Sequence, residues 1–423
     1  MKKTTLCLAL LGLLALGGQA HALICTIDDV PAATLLLPYF EVDLSGPNGV
    51  TTLFSINNAS ATAVLAHVVV WSDLSVPVLD FNVYLTGYDV QTVNVRDILA
   101  GNLPQTASAG QDPGDKISPK GSFSQDINFA SCSGQLPIQQ APADLTASWR
   151  AALTGAFANH LGGCAGLAHG DNTARGYITV DTVNNCTLRF PGDPGYFGPG
   201  GTGDVTNQNV LWGDYFYVNP GQNFAQGETL VHIEASATNP ATSTPGRYTF
   251  YGRYVAWSAA DNREPLSTTF ATRFINGGIF TGGTSLLVWR DSKVDQTAFT
   301  CGRLPSWFPL GQENITIFDE QEHPNLPPGC QISPCTTTST TPFPAETQRV
   351  DVGGADFSVP FPFGWLYLNL NFDSGSPDPS FDPLAQQAWV TTVMDAESRF
   401  SVGYDAIQLD SACNANHVNP GGG

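Results

Sequence analysis

Asp214 sits among aromatic residues, with Trp212 two positions before it and Tyr215 and Tyr217 after it. Aromatic faces suit sugar rings, and a carboxylate between them can bind hydroxyls. A second carboxylate, Glu234, would complete a general acid–base pair if adjacent strands held the two within about 5–10 Å. Alternating aromatics are also what an edge or buried strand shows. The 191–217 region, which includes Tyr196 and Phe197, therefore points first to non-catalytic glycan binding and second to glycoside hydrolysis. A different chemistry is offered by Asp373, Asp378 and Asp382. Calcium takes six to eight oxygens from flexible loops, and three carboxylates with nearby carbonyls could supply them. The spacing is not that of an EF-hand, and Pro377, Pro379 and Pro383 punctuate the same stretch as they would an ordinary loop. The run Asp319-Glu320-Gln321-Glu322-His323 is a second oxygen-rich cluster, which reads more simply as a solvated acidic turn.

Nucleophilic catalysis has little to stand on. The chain has no G-x-S-x-G elbow and no HExxH motif, and Gly198-Pro199-Gly200-Gly201-Thr202-Gly203 lacks the Lys-Ser/Thr of a phosphate loop. His160, Cys164 and His169 are close enough in sequence to suggest a cysteine nucleophile with its base. In an oxidising compartment, however, Cys164 is better read as half of a disulfide, and His160 as a cation near a helix C-terminus. His67, between Ala66 and Val68, reads as a hydrogen-bonded sheet residue rather than a ligand.

The oxidising compartment follows from residues 1–22, which read as a secretory signal peptide of bacterial type. Lys2 and Lys3 precede the apolar run Leu6 to Leu16, and Ala20-His21-Ala22 offers the small residues of a cleavage site. The run is shorter than the roughly 20 residues a membrane helix needs, and no later stretch is as long. Beyond the leader lie Cys25, Cys132, Cys164, Cys186, Cys301, Cys330, Cys335 and Cys413, an even set that predicts disulfides. Pairing Cys25 with Cys413 would clasp the ends. Local pairs among Cys132, Cys164 and Cys186 and among Cys301, Cys330 and Cys335 would use the rest. No C-x2-C pair exists, so zinc is disfavoured. The formal net charge is −20, and two of the 17 basic residues fall in the leader. A surface this acidic repels phosphate backbones and anionic lipid, which argues against nucleic-acid partners.

The elements that must position these residues are mostly strands. Thr51 to Ile56, Val64 to Trp71, Asp80 to Leu85 and the Val90–Val95 stretch follow one another at roughly ten-residue spacing, as in an antiparallel sandwich. Further strands are expected at 176–180, 230–235, 247–257, 284–290, 314–318, 365–370, 388–393 and 400–409. Residues 104–126, 191–210 and 336–341 read as loops or linkers. One helix is expected near 144–161, where Leu145, Trp149, Leu153, Phe157 and Leu161 form one apolar stripe. The expected organisation is a β-sandwich region at 23–105, a second β-rich region at 127–330 carrying the helix, and C-terminal strands at 345–423 that complete a sandwich.

Leu35 to Asp43 (LLLPYFEVD), Thr52 to Asn58 (TLFSINN), Leu79 to Tyr88 (LDFNVYLTGY) and Trp212 to Phe216 together resemble exported bacterial β-rich proteins with no assigned activity. The first mature residues are also similar to immunoglobulin-like sandwich modules of surface proteins, a likeness that concerns fold and not function. The expected protein is mainly β: an antiparallel immunoglobulin-like β-sandwich with one packed α-helix and long loops. It is secreted, periplasmic or at the cell surface, with no integral membrane segment after cleavage. Its expected role is non-enzymatic (structural, adhesive or ligand-binding) with an extracellular glycan or protein as partner, and calcium is the one cofactor the residues offer. The alternative is a carbohydrate-binding module or glycoside-active enzyme using the 191–217 region.

Overall fold

The computed structural model describes residues 30–104, 127, 129–136, 138–236, 249–255, 260–291, 297–305, 315–324, 343–355, 357–370 and 387–409. The signal peptide, Cys25, Cys330, Cys335, Cys413 and the Asp373/Asp378/Asp382 cluster lie outside these residues. Within them the chain is mainly β, with several antiparallel sheets and few helices.

Strands are numbered along the chain. Sheet A holds β1 (Thr34–Asp43), β3 (Val64–Ser72), β4 (Pro77–Leu85), β6 (Thr173–Val183) and β10 (Val231–Ile233), in the order β10-β1-β6-β3-β4. Sheet B holds β2 (Thr51–Asn58), β5 (Val90–Asn94), β8 (Asp214–Asn219) and β9 (Phe224–Thr229), ordered β5-β2-β8-β9, with the short β7 (Leu211–Trp212) also paired to β2. The inner faces of A and B share one core, in which Leu35, Leu37, Val68 and Ile178 meet Phe54, Ile56, Tyr215 and Tyr217. Pro38 cannot donate to a ladder and would normally exclude a central strand. Here the β1–β6 register shifts between Leu37 and Phe40, so the irregularity falls on the proline. Across from it, Gly176 lies so close to β3 that a Cβ would sit 1.9 Å from the Trp71 carbonyl oxygen.

Sheet C comprises β12 (Gly283–Arg290), β14 (Thr347–Val352), β16 (Ala388–Asp395) and β17 (Ser401–Asp405), ordered β14-β12-β16-β17. Sheet D comprises β11 (Thr269–Ile275), β13 (Ile315–Asp319), β15 (Phe363–Asn369) and β18 (Ile407–Gln408), ordered β13-β15-β11-β18. The central strands β12 and β16 of sheet C are buried on both faces. Leu286, Val288, Val350 and Val390 meet Phe270, Phe274, Leu366 and Leu368 of sheet D. The alternate residues Leu287 and Val393 join the core of A and B, and Trp289 and Trp389 join Leu36, Trp71 and Tyr177 behind sheet A. Residues 251–255, expected within a strand, instead contain a short 3-10 turn, Gly252–Val255, from which Arg253 reaches Asp291 (2.9 Å) and Glu346 (2.5 Å) of sheet C's margins.

Two α-helices lie beside the first core: α1 (Val95–Leu99), whose N-cap Asn94 accepts from the Arg96 amide, and α2 (Ala143–Leu153). Trp149 and Leu153 of α2 are buried, as the apolar stripe predicts, and α2 ends well before residue 161. Gly155, at φ +76°, turns the chain out of the helix, and a Cβ there would lie 2.3 Å from the Leu167 carbonyl oxygen. Phe157 is left exposed as a result.

Disulfides join Cys132 to Cys186 and Cys164 to Cys301. The first is a local pair of the expected kind. The second crosses between the two cysteine groups, because a bridge of main-chain hydrogen bonds already sets Cys164 against Phe299. Non-reducing peptide mapping should recover both pairs, and replacing Cys164 and Cys301 together by alanine should cost up to about 5 kcal/mol, the chain-entropy value for a loop of that length. Recovery of Cys164 linked to any other cysteine would refute the pairing.

Buried polar groups in sheet A are mostly satisfied in clusters. Asp181 accepts from Tyr196 (2.7 Å), Tyr251 (2.9 Å) and Thr34 (2.5 Å), and buried Arg263 stands 3.4 Å from both Asp181 and Asp261. His67 and Asp80 are the exception. His67 Nε2 and Asp80 Oδ2 face each other at 3.9 Å, each buried without a hydrogen-bond partner among the described residues. Burial pushes the Asp80 carboxyl up to about 7, and burial lowers the His67 pKa, so burial biases both groups toward their neutral forms. With its folded pKa above the ordinary 3.8, Asp80 favours the fold below about pH 4, and that contribution is lost as pH rises through about 7. Asp80→Asn should therefore gain stability relative to the parent chain between pH 4 and pH 8, by about 2–4 kcal/mol. Melting curves that shift in parallel across that range would contradict the assignment.

Candidate functional site

The outer face of sheet B collects the exposed aromatic residues of the 191–217 region. β8 pairs with β2 in the register Leu53↔Phe216, and β7 continues the same ladder with Asn57↔Trp212. Side chains alternate along a strand, so Trp212, Asp214 and Phe216 project to one side and Tyr215 and Tyr217 to the other. Burial agrees: Trp212 and Phe216 are 42% and 44% exposed, while Tyr215 and Tyr217 are 1% and 2%. At the strand rise of about 3.3 Å per residue, the two exposed rings are rooted about 13 Å apart.

The carboxylate between them is held in place. Ser55, across the ladder on β2, donates its hydroxyl to Asp214 Oδ1 at 2.6 Å, and the Asp214 amide returns a 3.2 Å bond to Ser55 Oγ. Asn57 donates to the same hydroxyl at 2.9 Å, so the row Asn57–Ser55–Asp214 forms a polar strip beside the aromatics. Phe216 lies over Gly227 of β9, where a Cβ would come within 2.3 Å of its ring. The glycine lets the ring lie down on the sheet. Phe216 was not among the expected residues, although its period-two relation to Trp212 and Asp214 is visible in the sequence.

Tyr215 and Tyr217 are a correction. Their rings pack on each other edge-on at 5.3 Å, the Tyr217 hydroxyl donates to the Tyr39 carbonyl (2.6 Å), and Tyr215 bonds Thr391 of sheet C (3.3 Å). Burial raises both phenol pKa values. They are core residues that tie the sheets together and cannot stack on a ligand. Glu234 is buried beyond the end of β10 in sheet A, its amide donating to Glu264 at 3.2 Å, whereas the side-chain hydrogen bonds of Asp214 run to Ser55.

The remaining candidates resolve as structural. Cys164 is disulfide-bonded, and His160 is fixed by Ser148 (2.6 Å) and the Val78 carbonyl (2.8 Å). His67 bonds Asn82 at 3.2 Å within the sheet. Asp319 accepts from the amides of Gln321 and His323 and from the His323 ring, contacts that lower its pKa and close an acidic turn upon itself. Among the described residues no group of three or more His, Cys, Asp or Glu side chains converges as a metal would need. Among the described residues, His169 is set against a buried carboxylate at a cleft: its Nε2 lies 2.9 Å from Asp73 Oδ2, and Asp73 Oδ1 accepts from the Leu167 amide.

Comparison with protein-family models, curated proteins and solved structures finds no match for the chain.

Proposed function

We propose that this is an exported, non-enzymatic binding protein that engages an extracellular glycan through the outer face of sheet B. The observation that carries the reading is the solvent-facing set Trp212, Asp214 and Phe216 on one continuous ladder. Two rings rooted about 13 Å apart, with a fixed carboxylate between them, suit an extended saccharide lying along the strands, its rings on the aromatics and a hydroxyl on Asp214. Glu234, the carboxylate expected to pair with Asp214, is buried beyond the end of β10, which favours binding over hydrolysis, since the hydrolytic mechanisms use a pair. An immunoglobulin-like sandwich belongs to the same proposal. Its support is the shared core of sheets A and B, although the order β10-β1-β6-β3-β4 is not the ABED/CFG order of that fold. Export is supported by the leader and by the two disulfides, and no described helix is long and apolar enough to cross a membrane. The acidic composition argues against nucleic acid as the partner.

The test is a glycan array on the mature protein, followed by titration of any hit while tryptophan fluorescence is read. Trp212→Ala and Phe216→Ala should each weaken binding at least tenfold, and Tyr215→Phe should leave it unchanged. An array with no hits among neutral and acidic glycans, or a hit that survives loss of both exposed rings, would sink the reading.

A further inference from the structure

A second site lies away from the aromatic face, where sheet A meets sheet C. A cleft of about 320 Å³ opens between Tyr39 and Glu41 of β1, His169, and Arg175 of β6 on one side, and Arg349 and Asp351 of β14 on the other. Its volume is at the lower end of the range for small-molecule pockets, and such pockets favour the seams between packed units. The seam is stitched at its base, where the Thr347 hydroxyl donates to the Pro38 carbonyl at 2.5 Å.

β14 alternates as the other strands do. Val350 and Val352 fill the core with sheet D, which turns Arg349 and Asp351 to the opposite side. Arg349 crosses the cleft: its Nη1 donates to Glu41 Oε1 at 3.3 Å, and its Nε donates to Ser285 at 3.1 Å. The other Glu41 oxygen accepts from the buried Tyr39 hydroxyl at 3.2 Å. Arg175 is clamped by both oxygens of Asp171, at 2.7 and 2.8 Å. Burial opposes the charge on Arg349, but Glu41 and then Asp351 outweigh it and raise its pKa, so the guanidinium is a permanent cation.

Among the polar atoms at the cleft that these bonds leave without a hydrogen-bond partner among the described residues, two suit a ligand. One is Arg349 Nη2, with two N–H donors on a side chain 35% exposed. The other is His169 Nδ1, because Nε2 is committed to Asp73. With Nε2 committed to the carboxylate, Nδ1 is the ring nitrogen left to hydrogen-bond a ligand. A guanidinium edge matches a carboxylate, and an imidazole nitrogen matches a hydroxyl.

We propose that this cleft binds a small hydroxycarboxylate, its carboxylate on Arg349 Nη2 and a hydroxyl hydrogen-bonded to His169 Nδ1. The site is independent of the glycan surface on sheet B. Asp351, exposed at the rim, already stands 3.5 Å from Arg349 Nε, so it competes with a ligand carboxylate and weakens its affinity.

The experiment is calorimetric titration of the disulfide-intact protein with D-gluconate and D-glucuronate, with D-glucose and succinate as probes lacking the carboxylate or the hydroxyls. Saturable binding of at least one hydroxycarboxylate is expected, with none for glucose and weaker binding for succinate. Removing Arg349 alone would strand Glu41, so the informative variant is Arg349→Gln with Glu41→Gln, compared with Glu41→Gln alone. The double variant should lose at least tenfold in affinity while melting within a few degrees of the single one. Asp351→Asn should bind severalfold tighter, and Trp212→Ala should bind as the parent does. Absence of saturable binding by both sugar acids would overturn the proposal. So would glucose binding as well as its acids, or a double variant that still binds like Glu41→Gln. Loss of sugar-acid binding in Trp212→Ala would move the site to sheet B and also overturn it. A glycan-array failure leaves this outcome untouched.

Discussion

The alternation of side chains along a strand is the constraint on which the rest of this protein depends. Nearly every strand of sheets A, B and C separates two environments, so a one-residue change of register would exchange them. On β12, Leu286 and Val288 serve the core with sheet D, while Leu287 and Trp289 serve the cores around sheet A. On β8 the same rule sends Tyr215 and Tyr217 inward and Phe216 outward. On β14 it sends Val350 and Val352 into one core and Arg349 and Asp351 to the cleft. Both proposed sites are thus the reverse faces of core-forming strands, and their geometry is as firm as the cores behind them.

Sheet C is what makes the molecule continuous. Because its central strands β12 and β16 are buried on both faces, they need a partner on each side, and sheets A and D supply them. The polar links across the seam include Arg253 with Asp291 and Glu346, Arg349 with Glu41, Tyr215 with Thr391, and Thr347 with the Pro38 carbonyl. A buried cation left without its carboxylates is strongly destabilising, so Arg253 helps specify how the sheets meet even where it adds little net stability. Asp181 has the same place within sheet A, gathering Thr34, Tyr196, Tyr251 and Arg263 from four separated parts of the chain around one carboxylate.

Much of the local structure was legible in the sequence. The first strands could be read from β-branched runs and turn residues, and the start of α2 from its apolar stripe. The stripe itself misled at the far end. Leu161 still packs beside the first core, but it arrives there by a turn, because Gly155 leaves the right-handed helix where Leu167 crowds it. Around Asp214 the alternation was visible, yet both sets of residues are aromatic. Which set faces water is decided by sheet A on the other side, and hydrophobicity alone could not distinguish Tyr215 from Phe216. Asp214 and Glu234 are set apart by topology, because the chain passes from sheet B to sheet A between the two residues. The cleft was the least legible feature. It sets residue 349 against residue 41, and neither segment carries a local pattern that announces the other.

The central claim is that Trp212 and Phe216 form a water-facing platform with Tyr215 and Tyr217 behind it, and hydroxyl-radical footprinting measures this residue by residue. In the free protein, Trp212 and Phe216 should be oxidised readily and Tyr215 and Tyr217 should be protected. Addition of a bound oligosaccharide should slow oxidation of the first two and leave the second two unchanged. Rapid oxidation of Tyr215 or Tyr217 in the folded protein, or ligand protection that spares Trp212 and Phe216, would contradict the account.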